Sequence, residues 1–496
     1  MSHLEPSTSL QSTEKCKSQR RRYASTFPFH AHQLVVTWPT CNSPHTASID
    51  ILDDGLLLNI FCLYRPFLPG EDDGTRVVQG NWGWGRGHWW FKLSHVCQRW
   101  RNLIHASSSH LDLYLVCTKG TPVAEMLAHS PPLPLVVDYY KEDSSMNTED
   151  EEGLILALEQ RDRVRRIRLR IYMPNSQRLI RAISEEYPIL EFLVIVSPDT
   201  PQGLALPETL QAPHLHHLVL SGVVLPIGCR LITTAVGLVT LVLVIRRPST
   251  YVHPNALLQW ISFTPRLETL GIHFFFAFPS HIVERQPTLM PMITTITLPN
   301  LRMFWFRGID AYFEAIVCKM ATPRLTKIQF FFFKQPTFSV PHLSQFMNTI
   351  LAENLRFSYA WFAFSTNFVD VFMLPHYVPG LSRSLRIRVL CPHFGLQVSA
   401  MAQISNLLSQ ISSTVEHLTL SYEAHIQSSD EHNEVDHAEW RRIPSSFTNV
   451  KTLRIEDGPN KEIARCLRLD DGELLPLDLL PELLEFTYSR SSDSDN

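Results

Sequence analysis

The feature that most restricts the fold of this chain is a short phrase, apolar-x-x-apolar-x-apolar, that returns throughout residues 160–488. Clear copies are Val164/Ile167/Leu169, Leu215/Leu218/Leu220, Leu238/Leu241/Leu243 and Leu267/Leu270/Ile272. Others are Leu301/Phe304/Phe306, Leu325/Ile328/Phe330, Val415/Leu418/Leu420, Val450/Leu453/Ile455 and Leu483/Phe486/Tyr488. Ile189/Phe192/Val194 and the stretch around Leu385–Val389 are poorer copies, and Leu355–Phe357 is a trace. One copy would mean nothing, because any α/β domain contains the phrase by chance. Recurrence every 23 to 35 residues along one chain makes chance a poor account. The alternating apolar positions suit a strand, and intervening stretches such as Asn255–Phe263 and Ala400–Ile411 carry helical spacing. A single strand–helix unit cannot bury its apolar face alone, whereas stacked units bury a continuous core. The expected fold class is therefore α/β, with one strand and one helix per repeat.

The phrase is similar to the first half of a leucine-rich repeat, whose apolar positions form one strand and the approach to it. That resemblance implies a solenoid over 160–488 with a parallel row of strands. The Asn that usually follows the phrase is missing throughout, so the repeats are divergent.

Two helical patterns precede the repeats. Asp53 and Asp54 offer N-cap chemistry, and Leu56, Leu57, Ile60, Phe61 and Tyr64 follow as one wide apolar stripe that Pro66 ends. A second helix begins near Trp89, with Leu93, Val96, Cys97, Trp100 and Leu103/Ile104 on one face and Lys92, Gln98, Arg99 and Arg101 on the other. Residues 66–88 between them are rich in Gly and read as a loop. Gly83, Gly85 and Gly87 mimic the spacing of a phosphate cradle, but no predicted strand precedes them and no βαβ unit opens there.

At ILDDGLLLNIF and WWFKLSHVCQRWRNLI the chain resembles the F-box family. The family pattern is Leu-Pro, an acidic pair, Leu-Leu-x-x-Ile-Phe, then Val-Cys-x-x-Trp-x-x-Leu. Here those positions are Ile51 and Leu52, Asp53 and Asp54, Leu56 and Leu57, Ile60 and Phe61, then Val96, Cys97, Trp100 and Leu103. The chain departs from the pattern at Leu52, where the family has Pro, and in its longer inter-helix loop. The segment after Leu111 also looks like its counterpart in fungal F-box proteins, so the resemblance spans roughly residues 48–137. It implies that Ile51, Leu52, Leu56, Leu57, Ile60, Phe61, Val96, Cys97, Trp100 and Leu103 dock a Skp-type adaptor, which connects to a cullin-RING ubiquitin ligase. It implies too that the repeats hold a protein substrate near the charged enzyme, so catalysis is by proximity. A repeat scaffold that binds a partner without ubiquitin transfer is the alternative.

The expected organisation is a disordered polar tail over 1–47, the F-box over 48–112, and a connecting segment over 113–159 with an acidic solvated loop, SSMNTEDEE. The repeats over 160–488 and an acidic tail over 489–496 complete it. Hydrophobic residues make up 45% of the 496, enough for a packed core. A net charge of −4 gives no basic stripe for nucleic acid. The nine cysteines (16, 41, 62, 97, 117, 229, 318, 391 and 466) lack paired spacing and there is no N-x-S/T sequon. Both fit reduced thiols and a cytoplasmic or nuclear location; the Arg20–Arg22 run reads as a solvated tail or a nuclear signal.

Leu231–Ile245 is the most apolar run, too short for a membrane span and expected as a buried strand pair. His214, His216 and His217 read as a strand edge rather than a zinc site, and His432 and His437 as a solvated loop. Neither metal ligands, a cofactor motif nor a catalytic constellation is expected. The aromatic runs Phe274–Phe276, Phe330–Phe333 and Trp361–Phe364 leave two expectations open: half of each facing outward, or full burial.

Overall fold

In a computed structural model, the described residues are 51–64, 89–140, 146–172, 176–198, 204–226, 228–277, 295–333, 339–354, 356–375, 384–422, 437–456 and 480–489. In chain order the first elements are α1 (Asp54–Tyr64), α2 (Trp89–Ser94), α3 (Gln98–Ala106), β1 (Leu115–Thr118), α4 (Val123–His129), β2 (Leu135–Tyr139), α5 (Thr148–Glu159), β3 (Val164–Arg170), α6 (Ser176–Ala182), β4 (Phe192–Val196) and β5 (Leu204–Ala205). There follow β6 (His217–Ser221), β7 (Val223–Val224), α7 (Arg230–Thr234), β8 (Thr240–Ile245), α8 (Pro254–Ser262), β9 (Thr269–Phe274), β10 (Ile296–Thr297), β11 (Met303–Gly308), α9 (Asp310–Val317), β12 (Met320–Ala321), β13 (Lys327–Phe332) and α10 (Pro341–Asn354). The last are β14 (Tyr359–Phe364), β15 (Phe368–Leu374), β16 (Ser384–Leu390), α11 (Phe394–Leu407), α12 (Ser409–Ser412), β17 (His417–Tyr422), α13 (His437–Ser445), β18 (Thr452–Glu456) and β19 (Glu485–Ser489).

The fold is mixed α/β, built on one fifteen-stranded sheet of order β1-β2-β3-β4-β6-β8-β9-β11-β13-β16-β15-β14-β17-β18-β19. Every neighbouring pair is parallel except the two that involve β15. The phrase positions stand in register: Leu218, Leu241, Leu270, Phe304, Ile328 and Leu385 form one row across six strands. All six are fully buried. Helix residues pack on this row and the next, as where Phe313 of α9 meets Phe304, Phe306 and Phe330, and Phe346 of α10 meets Phe304.

The approach to each strand repeats as well. The lead residue donates its N–H to the carbonyl three residues back, as Leu215 does to Ala212, Leu238 to Ala235, Leu267 to Thr264, Leu325 to Thr322 and Val415 to Ser412. The next two N–H groups share one carbonyl of the preceding strand's approach: Glu268 and Thr269 both donate to Val239, and Arg302 and Met303 both donate to Glu268. The donors of each approach are thus satisfied by the previous unit, which ties register to stacking.

The order breaks at β14–β16. Ser365 donates its N–H to Phe368 O across a tight hairpin, so β15 returns antiparallel to β14. β16 then pairs with both β15 and β13. A meander in reverse spatial order is therefore inserted where the sequence carries only a trace and a poor copy of the phrase.

Several expectations change. The sheet begins at Leu115, inside the segment read as a connection, and its first two strands are parallel. The acidic stretch read as a solvated loop is helical from Thr148, with Asp150 and Glu151 buried. Asn147 caps it by accepting from Asp150 N–H at 2.6 Å, and the carboxylates of the first turn suit a helix N-terminus. Leu231–Ile245 is one turn of helix, α7, and one strand, β8, rather than two strands. Among the described residues no helix is long and apolar enough to cross a membrane. The Gly83–Gly87 segment, His432, and the terminal stretches 1–47 and 490–496 lie outside the described residues.

The aromatic runs alternate. Phe274, Phe330, Phe332, Phe362 and Phe364 are buried against helices or neighbouring strands, while Phe275 and Trp361 are 46% and 45% exposed. Phe331 is half-buried. Period-two geometry, rather than full burial, governs these runs within their strands, while Phe333, just past the end of β13, is buried as well.

Candidate functional site

The residues expected to dock an adaptor divide into two sets. Leu57, Phe61 and Trp100 are buried, and the Phe61 and Trp100 rings meet edge-on with centroids 4.9 Å apart. They hold α1 against α3. Of the residues expected to dock an adaptor, Leu57, Phe61 and Trp100 are packed within the helical unit: one apolar stripe is wide enough to serve both packing and exposure, and these three take the packing side. Leu56 and Ile60, one turn apart, are 50% and 43% exposed, and Leu63 continues their stripe. Val96 is exposed in the turn between α2 and α3, and Leu103 is half-buried. Ile51, exposed, and Leu52, half-buried, belong to a separate unit that ends at Asp53.

Cys97 has a role the sequence did not announce. The single helix expected from Trp89 breaks at His95–Cys97, and the Cys97 Sγ accepts from Trp100 N–H at 3.4 Å as the N-cap of α3. Arg101 secures the break by donating from Nε to Ser94 O at 3.0 Å. Arg99 pairs with Asp54 at 2.8 Å, joining the start of α1 to α3. Trp90 fastens the helices to the sheet: it is buried, donates from Nε1 to Tyr114 O at 3.4 Å just before β1, and meets His105 edge-on. Burial, and then the charge of Arg101, lower the pKa of His105 from its ordinary value.

A second constellation lies on the sheet face opposite the helices. Across the register run Trp305, Gln329, Arg386, Phe372 and Trp361 in one row, and His273, Arg307, Phe331, Arg388 and Asp370 in the next. Asp370 is buried and accepts from both arginines, with closest contacts of 2.6 Å to Arg386 Nη2 and 2.5 Å to Arg388 Nη2. Arg388 also stacks over Phe368 at 4.0 Å and reaches Phe331 at 5.2 Å. Arg307 lies over Phe333 at 5.6 Å and makes no ion pair among the described residues.

Trp305 lies flat across Gly271 of the neighbouring strand, where a Cβ would come within 2.2 Å of the indole. His273 stacks on Phe275 with centroids 4.7 Å apart and meets Trp305 edge-on. Burial, then the charges of Arg307 and Arg246, push its pKa down to about 4, so the ring is neutral at pH 7. The Nε1 of Trp305 and the Nε2 of His273 are both shielded without a hydrogen-bond partner among the described residues. Burial, then the nearby Arg388, also lower the pKa of Arg307.

Of these sheet residues the sequence singled out only the aromatic runs that hold Phe275, Phe331, Phe333 and Trp361; Trp305, the arginines, Asp370 and His273 were not. A signal existed in the period-two pairs Trp305/Arg307 and Arg386/Arg388, each of which places both its members on one face. Of the histidines expected at a strand edge, His217 opens β6 and its ring packs on Phe192. Among the described residues no three His, Cys, Asp or Glu side chains gather as a metal site. Comparison with protein-family models and with curated proteins gives no match.

Proposed function

We propose that this chain is the substrate-recognition subunit of a Skp–cullin–F-box ubiquitin ligase, with an F-box at its N-terminal helices and a leucine-rich-repeat solenoid behind it. The observation that carries the reading is the stripe Leu56–Ile60–Leu63 on α1, left exposed although the helices already bury Leu57, Phe61 and Trp100 among themselves. An apolar stripe in excess of what packing needs is what a helix-docking partner covers. Trp90, set against the first strand, supports a fixed relation between such an adaptor and the sheet. The in-register phrase rows and shared approach hydrogen bonds support reading the sheet as stacked repeats. In this role the subunit contributes proximity and orientation, without a catalytic residue of its own.

Co-expression with a Skp-type adaptor tests the reading. The wild-type chain is expected to co-purify with it, and Ile60→Arg to abolish the complex while leaving the thermal midpoint unchanged. Leu57→Arg is unsuitable, because it introduces a charge into the packing of α1 on α3. Failure of the wild-type chain to bind, or full binding by Ile60→Arg, overturns the assignment. Adaptor binding without assembly of a cullin complex instead selects a scaffold without ubiquitin transfer.

A further inference from the structure

We propose that the strip of arginines and aromatic rings on β11, β13, β16, β15 and β14, on the face opposite the helices, docks an acidic protein segment. It rests on the reading above only in taking the repeat sheet as the partner-binding part of the chain. Two guanidiniums, those of Arg386 and Arg388, already share the single carboxylate Asp370, and a third, that of Arg307, lies on the same sheet face two strands from Arg388. That excess of cation stands in a chain whose net charge is −4, so it is local and not a property of the whole surface. Arg386 and Arg388 are spent partly on Asp370; Arg307 is not paired with a carboxylate among the described residues, and its neighbour of like charge is Arg388. A carboxylate brought in by a partner would relieve that repulsion and make charge-assisted hydrogen bonds.

The aromatic members define the rest of the ligand. Trp361 is 45% exposed beside half-buried Phe372, one strand spacing from Arg386. Apolar side chains between the acids of an extended segment have rings to lie on there. From Trp305 to Trp361 the strip crosses four strand spacings, roughly 19 Å, the length of about six extended residues. Nucleic acid fits less well: a phosphate backbone is drawn to an extended basic stripe, whereas this strip is short and carries Asp370 at its centre.

The test uses the full chain and fluorescence anisotropy with a short fluorescein-labelled peptide of glutamates interspersed with phenylalanines. Its glutamine counterpart and a single-stranded oligodeoxythymidine are the comparison probes. The glutamate peptide is expected to bind saturably, to weaken with added salt, and to outcompete both other probes. Arg307→Glu is expected to weaken it about tenfold or more, as removal of a charge partner in a docking site does. If Arg307→Glu shifts the thermal midpoint, Arg307→Gln and Trp361→Ala, at a half-exposed and an exposed position, give the same reading. Absence of saturable binding, equal binding of the glutamine peptide, tighter binding of the oligonucleotide, or unchanged affinity in the folded variants overturns the proposal. Ile60→Arg should retain peptide binding, so failure of the adaptor experiment and failure of this one are told apart.

Discussion

The Asp370 cluster yields a prediction whose magnitude follows from its geometry. Asp370 sits on the one antiparallel strand, and its carboxylate is 9% exposed, while Arg386 and Arg388 retain 36% and 23% exposure. The burden of desolvation therefore falls on the carboxylate. Either arginine alone supplies it with charge-assisted hydrogen bonds at 2.5–3.1 Å. Arg388→Gln removes two of these bonds but leaves Arg386 to satisfy the carboxylate, and it should cost about 1 kcal/mol; Arg386→Gln should cost a similar amount. Removing both leaves a buried carboxylate with no cation, a situation that costs about 3–5 kcal/mol beyond the loss of packing. The single losses sum to about 2 kcal/mol, so the double variant should exceed that sum by about 1–3 kcal/mol, a coupling typical of groups that share a partner. Adding Asp370→Asn to the double variant should restore much of the loss, since an amide needs no counter-charge. Urea unfolding followed by tryptophan fluorescence reads all four variants. Strict additivity, or a triple variant no more stable than the double, would refute the view that the arginines are held in place to neutralise Asp370.

Two further outcomes follow from single residues. Gly222 has φ +67°, and a Cβ there would lie 2.2 Å from Ser197 O, so Gly222→Ala should lower stability by about 2 kcal/mol or more, read as a fall in thermal midpoint. His273 takes up a proton only near pH 4 in the folded chain against an ordinary value of 6.5, so above pH 6.5 it is neutral in both states and contributes no pH dependence. Between pH 6.5 and 4 the unfolded chain binds the proton and the folded chain refuses it, so stability should fall by about 3 kcal/mol as the pH drops through that window; His273→Phe should flatten this part of the stability–pH curve, and an unchanged slope would count against a buried neutral ring.

The inserted meander shows where local reading stops. Leu355–Phe357 and Leu385–Val389 match the repeat phrase poorly and border the insertion: β14, which follows α10, and β16 both pair antiparallel with β15. The turn residues Ser365–Asn367 were present in the sequence, but which neighbour each strand would take was not written in them. Similarly, the acidic run near Thr148 looked solvated because its charge count is high. In the fold its carboxylates serve the first turn of α5, and Asp150 accepts from Gly120 N–H at 2.6 Å.

By itself the sequence determined that strands would recur, which residues would bury against helices, and that α1 carries an apolar stripe. Those are consequences of period and hydrophobicity, which act between residues close in the chain. Only the tertiary structure decided that Leu57 and Phe61 turn inward while Leu56 and Ile60 remain outside, because that depends on where α3 lies. Only the sheet order, likewise, brings Arg386 and Arg388 to Asp370 and sets Arg307 two strands from those arginines. Side chains on one sheet face become neighbours through strand pairing and register, and pairing between distant segments is settled by packing across the whole sheet.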